Sequence, residues 1–321
     1  MTNIDERWAA LRFGAWSNLD MVAQCLAAGA DPDARVPGGG RPLHLAVERG
    51  SAAVVTELAS RVQEIDSEEH GRTALWTAVH DGRSDLALIL AQAGADPWRP
   101  MMAGWSPGRL CLAGPDPALF GTPPPGVELS AEETATVEEA RRLRAAIGDP
   151  ESEGLSLACV AGIDAAEAVR RLGATDDPET PVDDYLDDDV DERAMLTVGV
   201  TDVPGGCVVT QPWAFGASMP LVGRLLSAGT VCYAMYANPK SGNQGAAYRD
   251  GVVEGWDLSP GLEHVEQGDP APVILRTYLY RGSALGTCCA YAGLRLPDAR
   301  AITGPADRWV RLPERDWWAT R

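Results

Sequence analysis

Few residues in this chain combine a reactive type with the spacing that chemistry needs. His264 is the only histidine beyond residue 80, and a nucleophilic site would require it beside a cysteine or serine. Cys159, Cys207 and Cys232 are the cysteines such a pair would draw on, but no local signature joins them to it. His264 stands between Glu263 and Glu266, ahead of a Gly268-Asp269-Pro270 turn, a setting that suits an exposed loop. The stretch Asn238-Pro239-Lys240-Ser241-Gly242-Asn243-Gln244-Gly245 holds the ingredients of a phosphate loop in the wrong order. A phosphate loop places Lys-Ser/Thr after its second glycine and ahead of a helix; here Gly242 follows Lys240-Ser241 and a strand comes next, so the stretch reads as a loop between paired strands. The run from Asp176 to Glu192 holds ten Asp or Glu residues, which raises a cation site or a mimic of a polyanionic surface. Calcium loops need acids at alternate positions around a central glycine and a closing glutamate. Asp187-Asp188-Asp189-Val190-Asp191 has no such glycine, so the run reads as a solvated loop. Cys288-Cys289 are adjacent in a helical pattern that a vicinal disulfide would distort, and they read as buried thiols. No catalytic, cofactor-binding or metal-ligating residue is assigned on these grounds.

Composition narrows the function classes further. A net charge of −19 over 321 residues, spread over both halves, argues against nucleic acid and against an anionic membrane surface as partners. Lysine occurs once, at Lys240, among 27 basic residues. Seven cysteines, an odd number without C-x2-C spacing, do not form a disulfide framework or a zinc site. The leading Met1-Thr2-Asn3-Ile4-Asp5-Glu6-Arg7 is too polar for a secretion signal, and no stretch has the apolar length of a membrane span. The expected location is the cytoplasm.

The elements that would position a site are set by a repeat. Arg41-Pro42-Leu43-His44-Leu45-Ala46 is followed by Arg72-Thr73-Ala74-Leu75-Trp76-Thr77-Ala78 and then by Trp105-Ser106-Pro107. A second phrase keeps the same period: Ala28-Gly29-Ala30-Asp31-Pro32 returns as Ala93-Gly94-Ala95-Asp96-Pro97, with a worn copy at Gln63-Glu64-Ile65-Asp66. Between the phrases, apolar residues at 19, 22, 25 and 26, and again at 86, 89 and 90, fall on one helical face. Gly29 and Gly94 sit where helices should stop at positive φ. Trp76 takes the place that His44 holds one repeat earlier, a core-facing position, and the fourth copy decays by Gly114-Pro115.

These phrases resemble the ankyrin repeat family, over residues of about 8–115, with three to four repeats of which the last is incomplete. The resemblance implies an all-α solenoid of stacked helix pairs with finger tips at 35–40, 67–71 and 99–104. A single repeat cannot bury its own apolar face, so stacking must supply the core. It implies a concave face that binds a protein partner, formed by the fingers and the exposed positions of the inner helices. On that pattern the contact residues are Glu48 and Arg49 in one repeat, His80 and Asp81 in the next, and Trp98 and Trp105 at the following finger.

Gly121-Thr122-Pro123-Pro124-Pro125-Gly126 breaks the repeats, and a new helix follows. Ser130 with Glu133 spells a capping box, Val137, Ala140, Leu143 and Ile147 form its apolar stripe, and Glu138 is spaced to pair with Arg142. Strands are predicted at 155–160, 195–203, 207–213 and 230–237, with hairpins around Pro204-Gly205-Gly206 and Asp250-Gly251. Helices are predicted at 164–172, 217–226, 270–279 and 283–294. Without strict strand–helix alternation this is an α+β domain with a mainly antiparallel sheet. The ordered phrases Arg170-Arg171-Leu172-Gly173-Ala174, Val198-Gly199-Val200, Leu226-Ser227-Ala228-Gly229-Thr230 and Tyr248-Arg249-Asp250-Gly251 resemble an uncharacterised bacterial domain family over about 153–302.

The organisation expected is an ankyrin domain with a closing helix over 1–150 and an α+β domain over 151–321. The function expected is a protein-interaction module, immunity-like or regulatory, without a cofactor, with enzymatic activity left open. The alternative is an enzyme whose α+β domain acts on a substrate presented by the repeats. Trp317-Trp318, near the last residues, require a cover, for which packing within the chain is the first choice.

Overall fold

Three helices in the first part of the chain start within the repeated phrases, two of them on a side-chain cap and one on a proline. A computed structural model describes residues 3–11, 15–177 and 192–319. The acidic loop expected between Asp176 and Glu192 falls, over 178–191, outside the described residues. Two compact units are present, Met1–Val137 with His264–Leu279, and Glu138–Glu263 with Tyr280–Arg321.

In the first unit α1 (Leu19–Ala27) is capped by Asn18, whose side chain accepts from the Met21 N–H at 3.2 Å. Helix α2 (Pro42–Arg49) opens on a proline, which fits the first turn because that N–H would lack a helical partner anyway. Ser51 caps α3 (Ala52–Ala59). The finger hairpin β1 (Glu68–Glu69) and β2 (Arg72–Thr73) leads into α4 (Ala74–His80), capped by Thr73, then α5 (Ser84–Gln92). Ser106 caps α6 (Pro107–Ala113). Helices α2, α4 and α6 pack in one series and α1, α3 and α5 in another, with α2 on α3 and α4 on α5. Leu43, Leu58, Leu75, Leu86, Leu90 and Leu110 are buried between them. Gly29 and Gly94 have φ of +86° and +106°, as their helix-stop positions require. The ends of the array are less regular. Residues 6–10 and 15–17 form only short 3-10 turns, residues 114–130 hold no helix, and Leu19 is 39 % exposed rather than part of the α1 stripe.

Bonds between repeats recur at fixed sequence separations. Asp33 accepts from the Gln63 N–H at 2.9 Å, and Asp66 accepts from the Asp96 N–H at 3.1 Å, each across 30 residues. His44 Nε2 meets the Arg72 carbonyl at 3.1 Å, and Thr73 Oγ1 meets Met101 Sδ at 3.7 Å, each across 28 residues. The worn copy at 63–66 thus keeps Asp66, a side chain that helps tie its finger to the next.

Helix α7 (Ala131–Ile147) carries the predicted capping box in full: the Glu133 N–H donates to Ser130 Oγ at 3.1 Å, and the Ser130 N–H donates to Glu133 Oε2 at 2.7 Å. Val137, Ala140, Leu143 and Ile147 are all buried. Arg142 pairs with Glu139 at 2.7 Å rather than with Glu138, the i,i+3 neighbour lying as close on a helix as the i,i+4 one.

The second unit is built on one eight-stranded sheet. Its elements in chain order are β3 (Ser156–Ala161), α8 (Ala165–Leu172), β4 (Thr175–Asp176), α9 (Glu192–Leu196), β5 (Thr197–Val203), β6 (Gly206–Gln211), α10 (Pro220–Leu226), β7 (Val231–Asn238), β8 (Gly242–Arg249) and β9 (Val252–Leu258). After α11 (Ala271–Tyr280) come α12 (Ala284–Tyr291), α13 (Arg300–Thr303) and β10 (Arg308–Arg311). The strand order is β4-β10-β5-β6-β3-β7-β8-β9, and each pairing within it is antiparallel. Alternate residues face opposite ways along each strand. Ala158, Val160, Val209, Cys232 and Tyr248 therefore pack with Ala168, Leu172, Val222 and Leu226 of α8 and α10. Helices α12 and α13 pack on the sheet as well, through β3 and β7 and through β5 and β6. Cys159 Sγ of β3 lies 3.6 Å from Cys289 Sγ of α12, and Thr210 Oγ1 of β6 donates to the Ile302 carbonyl of α13 at 2.9 Å. Those two strand residues alternate with the first set, so α12 and α13 cover the opposite face.

Both predicted hairpins form. Val203 pairs with Gly206 across Pro204-Gly205, and Arg249 pairs with Val252 across Asp250-Gly251, whose φ values of +50° and +75° suit a two-residue turn. A Cβ on Gly206 would run into the Val160 carbonyl. Gly206→Ala should therefore break the β3–β6 pairing, and the check is soluble yield and the thermal melt of the variant; a wild-type melt would show that the strand can shift without cost.

Candidate functional site

The first finger closes on itself through the Val36 N–H, which donates to the Gly40 carbonyl at 2.9 Å, with Gly38 at φ +69°. With α2 and the second finger it lines a groove of about 520 Å3. Apolar lining comes from Leu11, Trp16, Val36 and Leu45, and polar lining from His44, Glu48, Arg49 and Glu69. Glu48 and Arg49 are exposed at the C-terminal end of α2, 4.0 Å apart. Glu69 is 8 % exposed, and two guanidiniums of the preceding repeat hold it, Arg35 at 2.6 Å and Arg41 at 3.5 Å. A buried carboxylate needs such partners, and here they also lock one finger to its neighbour. His44 is buried and its pKa is lowered to about 4, because burial disfavours the imidazolium. The ring is therefore neutral near pH 7. Its bond to a carbonyl requires the hydrogen on Nε2, which leaves Nδ1 without a partner among the described residues.

The six residues expected at the contact face divide in two. Glu48 and Arg49 line the groove, Asp81 is half-buried at the end of α4, and Trp98 is half-buried with Phe120 edge-on at 6.5 Å. His80 and Trp105 are not at the surface: His80 is 4 % exposed and Trp105 fully buried. The cover is α11, which is more than 160 residues away in sequence and groups with the repeats up to Leu279. Trp105 Nε1 donates to the Ala271 carbonyl at 3.2 Å, and the Arg109 guanidinium lies 4.2 Å above its ring. Tyr278 stacks obliquely on His80 with ring centres 6.3 Å apart. Local patterning could not show this, since the covering helix repeats no phrase of the array. Glu69 and Trp16 were missed because neither stands at a repeated contact position.

The residues weighed for chemistry do not assemble. All seven cysteines are buried and free. Burial pushes the Cys111 and Cys207 thiols up to about 12 and raises those of Cys159, Cys232 and Cys288, which removes the thiolate a nucleophile needs. His264 is exposed, as its loop setting implied. Asn238 pairs with Gly242, so the glycine-rich stretch is the β7–β8 hairpin. Among the described residues no three His, Cys, Asp or Glu side chains converge as a metal site would need, and no helix is long and apolar enough to cross a membrane.

Residues 8–101 match the family model for ankyrin repeats, in three copies. No curated protein matches the chain. Ankyrin repeats of this kind suggest a protein–protein interaction module.

Proposed function

We propose that this chain is a protein-binding protein in which an ankyrin solenoid docks a partner on its finger and inner-helix face. The observation that carries this reading is the groove between the first two fingers and α2, with an apolar floor and Glu48 and Arg49 exposed at its rim. An apolar centre with charges at its edge is how protein interfaces divide affinity from orientation. On this reading the half-buried Asp81 and Trp98 add contacts in the following repeats, and the buried His80 and Trp105 act through packing. The organisation we propose is an interaction domain over 1–150 and an α+β domain over 151–321 that binds or regulates the docked partner, in an immunity-like or regulatory role. We place it in the cytoplasm, where seven free thiols stay reduced.

The test uses the full chain as bait in an extract of its own cells. Wild type should retain a protein that is lost from a Glu48→Arg, Arg49→Glu double variant with an unchanged melting temperature. Reversing two rim charges should weaken binding at low salt by about tenfold or more and lessen its salt dependence. Retention unchanged by the double variant would move the docking surface off the repeats.

A further inference from the structure

The second unit carries an aromatic cavity that the repeat reading does not use. It has a volume of about 330 Å3, the size of a small-ligand site, and Phe215, Tyr236, Trp256 and Trp318 all line it. Phe215 meets Tyr236 edge-on at 6.0 Å and Trp318 at 5.4 Å, so three rings form one wall. Trp256 and Asp257 enter from β9. The two tryptophans are 55 % and 56 % exposed, an unusual expense of apolar surface. Trp318 is held there by its neighbour. Trp317 is buried, donates from Nε1 to the Pro313 carbonyl at 2.9 Å, and lies under the Arg315 guanidinium at 4.0 Å. Burial of Trp317 thus fixes the chain while Trp318 faces the cavity.

Charge decides what such a cavity takes. Its lining includes one ionisable acid, Asp257, and no lysine or arginine. Asp257 is exposed, has φ +54°, and has no ion-pair partner among the described residues. An anionic ligand would meet only a carboxylate and the negative faces of rings. A cation is favoured by the Asp257 carboxylate and by the negative quadrupole of any ring face it contacts, and meets no positive side chain in the lining. Strongly hydrated ammonium ions lose much on entering, whereas methylated ammonium groups shed water easily and fill apolar space. We propose that this cavity binds a methylated ammonium group, with the four rings as its cage and Asp257 as its counter-charge.

The group has two sources, a free small molecule or a methylated lysine of a peptide, and calorimetry on the full chain distinguishes them. Choline chloride and a trimethyl-lysine peptide are titrated beside their uncharged or unmethylated counterparts, 3,3-dimethylbutan-1-ol and the lysine peptide. At least one methylated cation should bind, about tenfold or more tighter than its counterpart. Binding of choline alone identifies the small molecule, and a clear preference for the peptide identifies the protein source. Trp256→Ala should weaken binding about tenfold and Trp256→Phe less. Asp257→Asn, a change its positive φ tolerates, should weaken it several-fold without altering the melt. Equal binding of choline and the neutral alcohol, binding unchanged in Trp256→Ala, or no binding of either cation would overturn the proposal.

Discussion

Replacing Trp105 by alanine should destabilise the repeat unit by about 3–5 kcal/mol, the range for a large aromatic removed from a core. The side chain is fully buried, so truncation removes its whole apolar area and leaves a cavity between α6 and the start of α11. It also removes the bond to the Ala271 carbonyl and the ring beneath Arg109, whose guanidinium is meanwhile held by Glu133 at 2.7 Å and survives the change. Trp105→Phe keeps most of the area and should cost far less. Urea denaturation followed by far-ultraviolet circular dichroism reads the difference. If Trp105→Ala unfolds like wild type and loses only partner binding, the residue belongs to the contact face after all.

Stability of the repeats should fall on acidification through His44. The folded state holds this imidazole neutral down to about 4, whereas the unfolded chain takes up a proton below the ordinary value of 6.5. Above pH 6.5 the ring is neutral in both states and costs nothing. As pH drops from 6.5 to about 4 the unfolded state alone binds the proton, and stability is lost, by an amount on the order of 3 kcal/mol at the lower limit. His44→Gln offers an amide donor to the Arg72 carbonyl and cannot titrate. Its unfolding free energy should therefore be lower at pH 7 and fall less steeply with acid. Carboxylates that titrate in the same window are common to both proteins and cancel in the comparison. Parallel curves for wild type and His44→Gln would show that the ring is solvated in the native state.

Local signals in the sequence settled most of what is caused within a turn or a hairpin of the residue concerned, although Arg142 took Glu139 rather than Glu138 and Leu19 left its stripe. Thr73 and Ser106 had to cap helices because a side-chain oxygen just before a helix satisfies its free N–H groups. Ser130 and Glu133 had to form their box, and Asp250-Gly251 its turn, for equally local reasons. The repeat period was legible because each stacked unit must offer the same apolar residues to the next, so Leu43 and Leu75 are buried alike. Contacts between distant segments leave no such trace. Whether Trp105 and His80 face solvent was decided by α11, and whether Trp317 or Trp318 is covered was decided by how the chain after β10 crosses α10, where the Leu221 N–H donates to the Trp317 carbonyl at 3.1 Å. The order of the eight strands, with β10 inserted between β4 and β5, and the gathering of Phe215, Tyr236, Trp256 and Trp318 around one cavity arise in the same way. A side chain's type fixes what it can bury or bond, but only the packed chain determines which distant surface reaches it first.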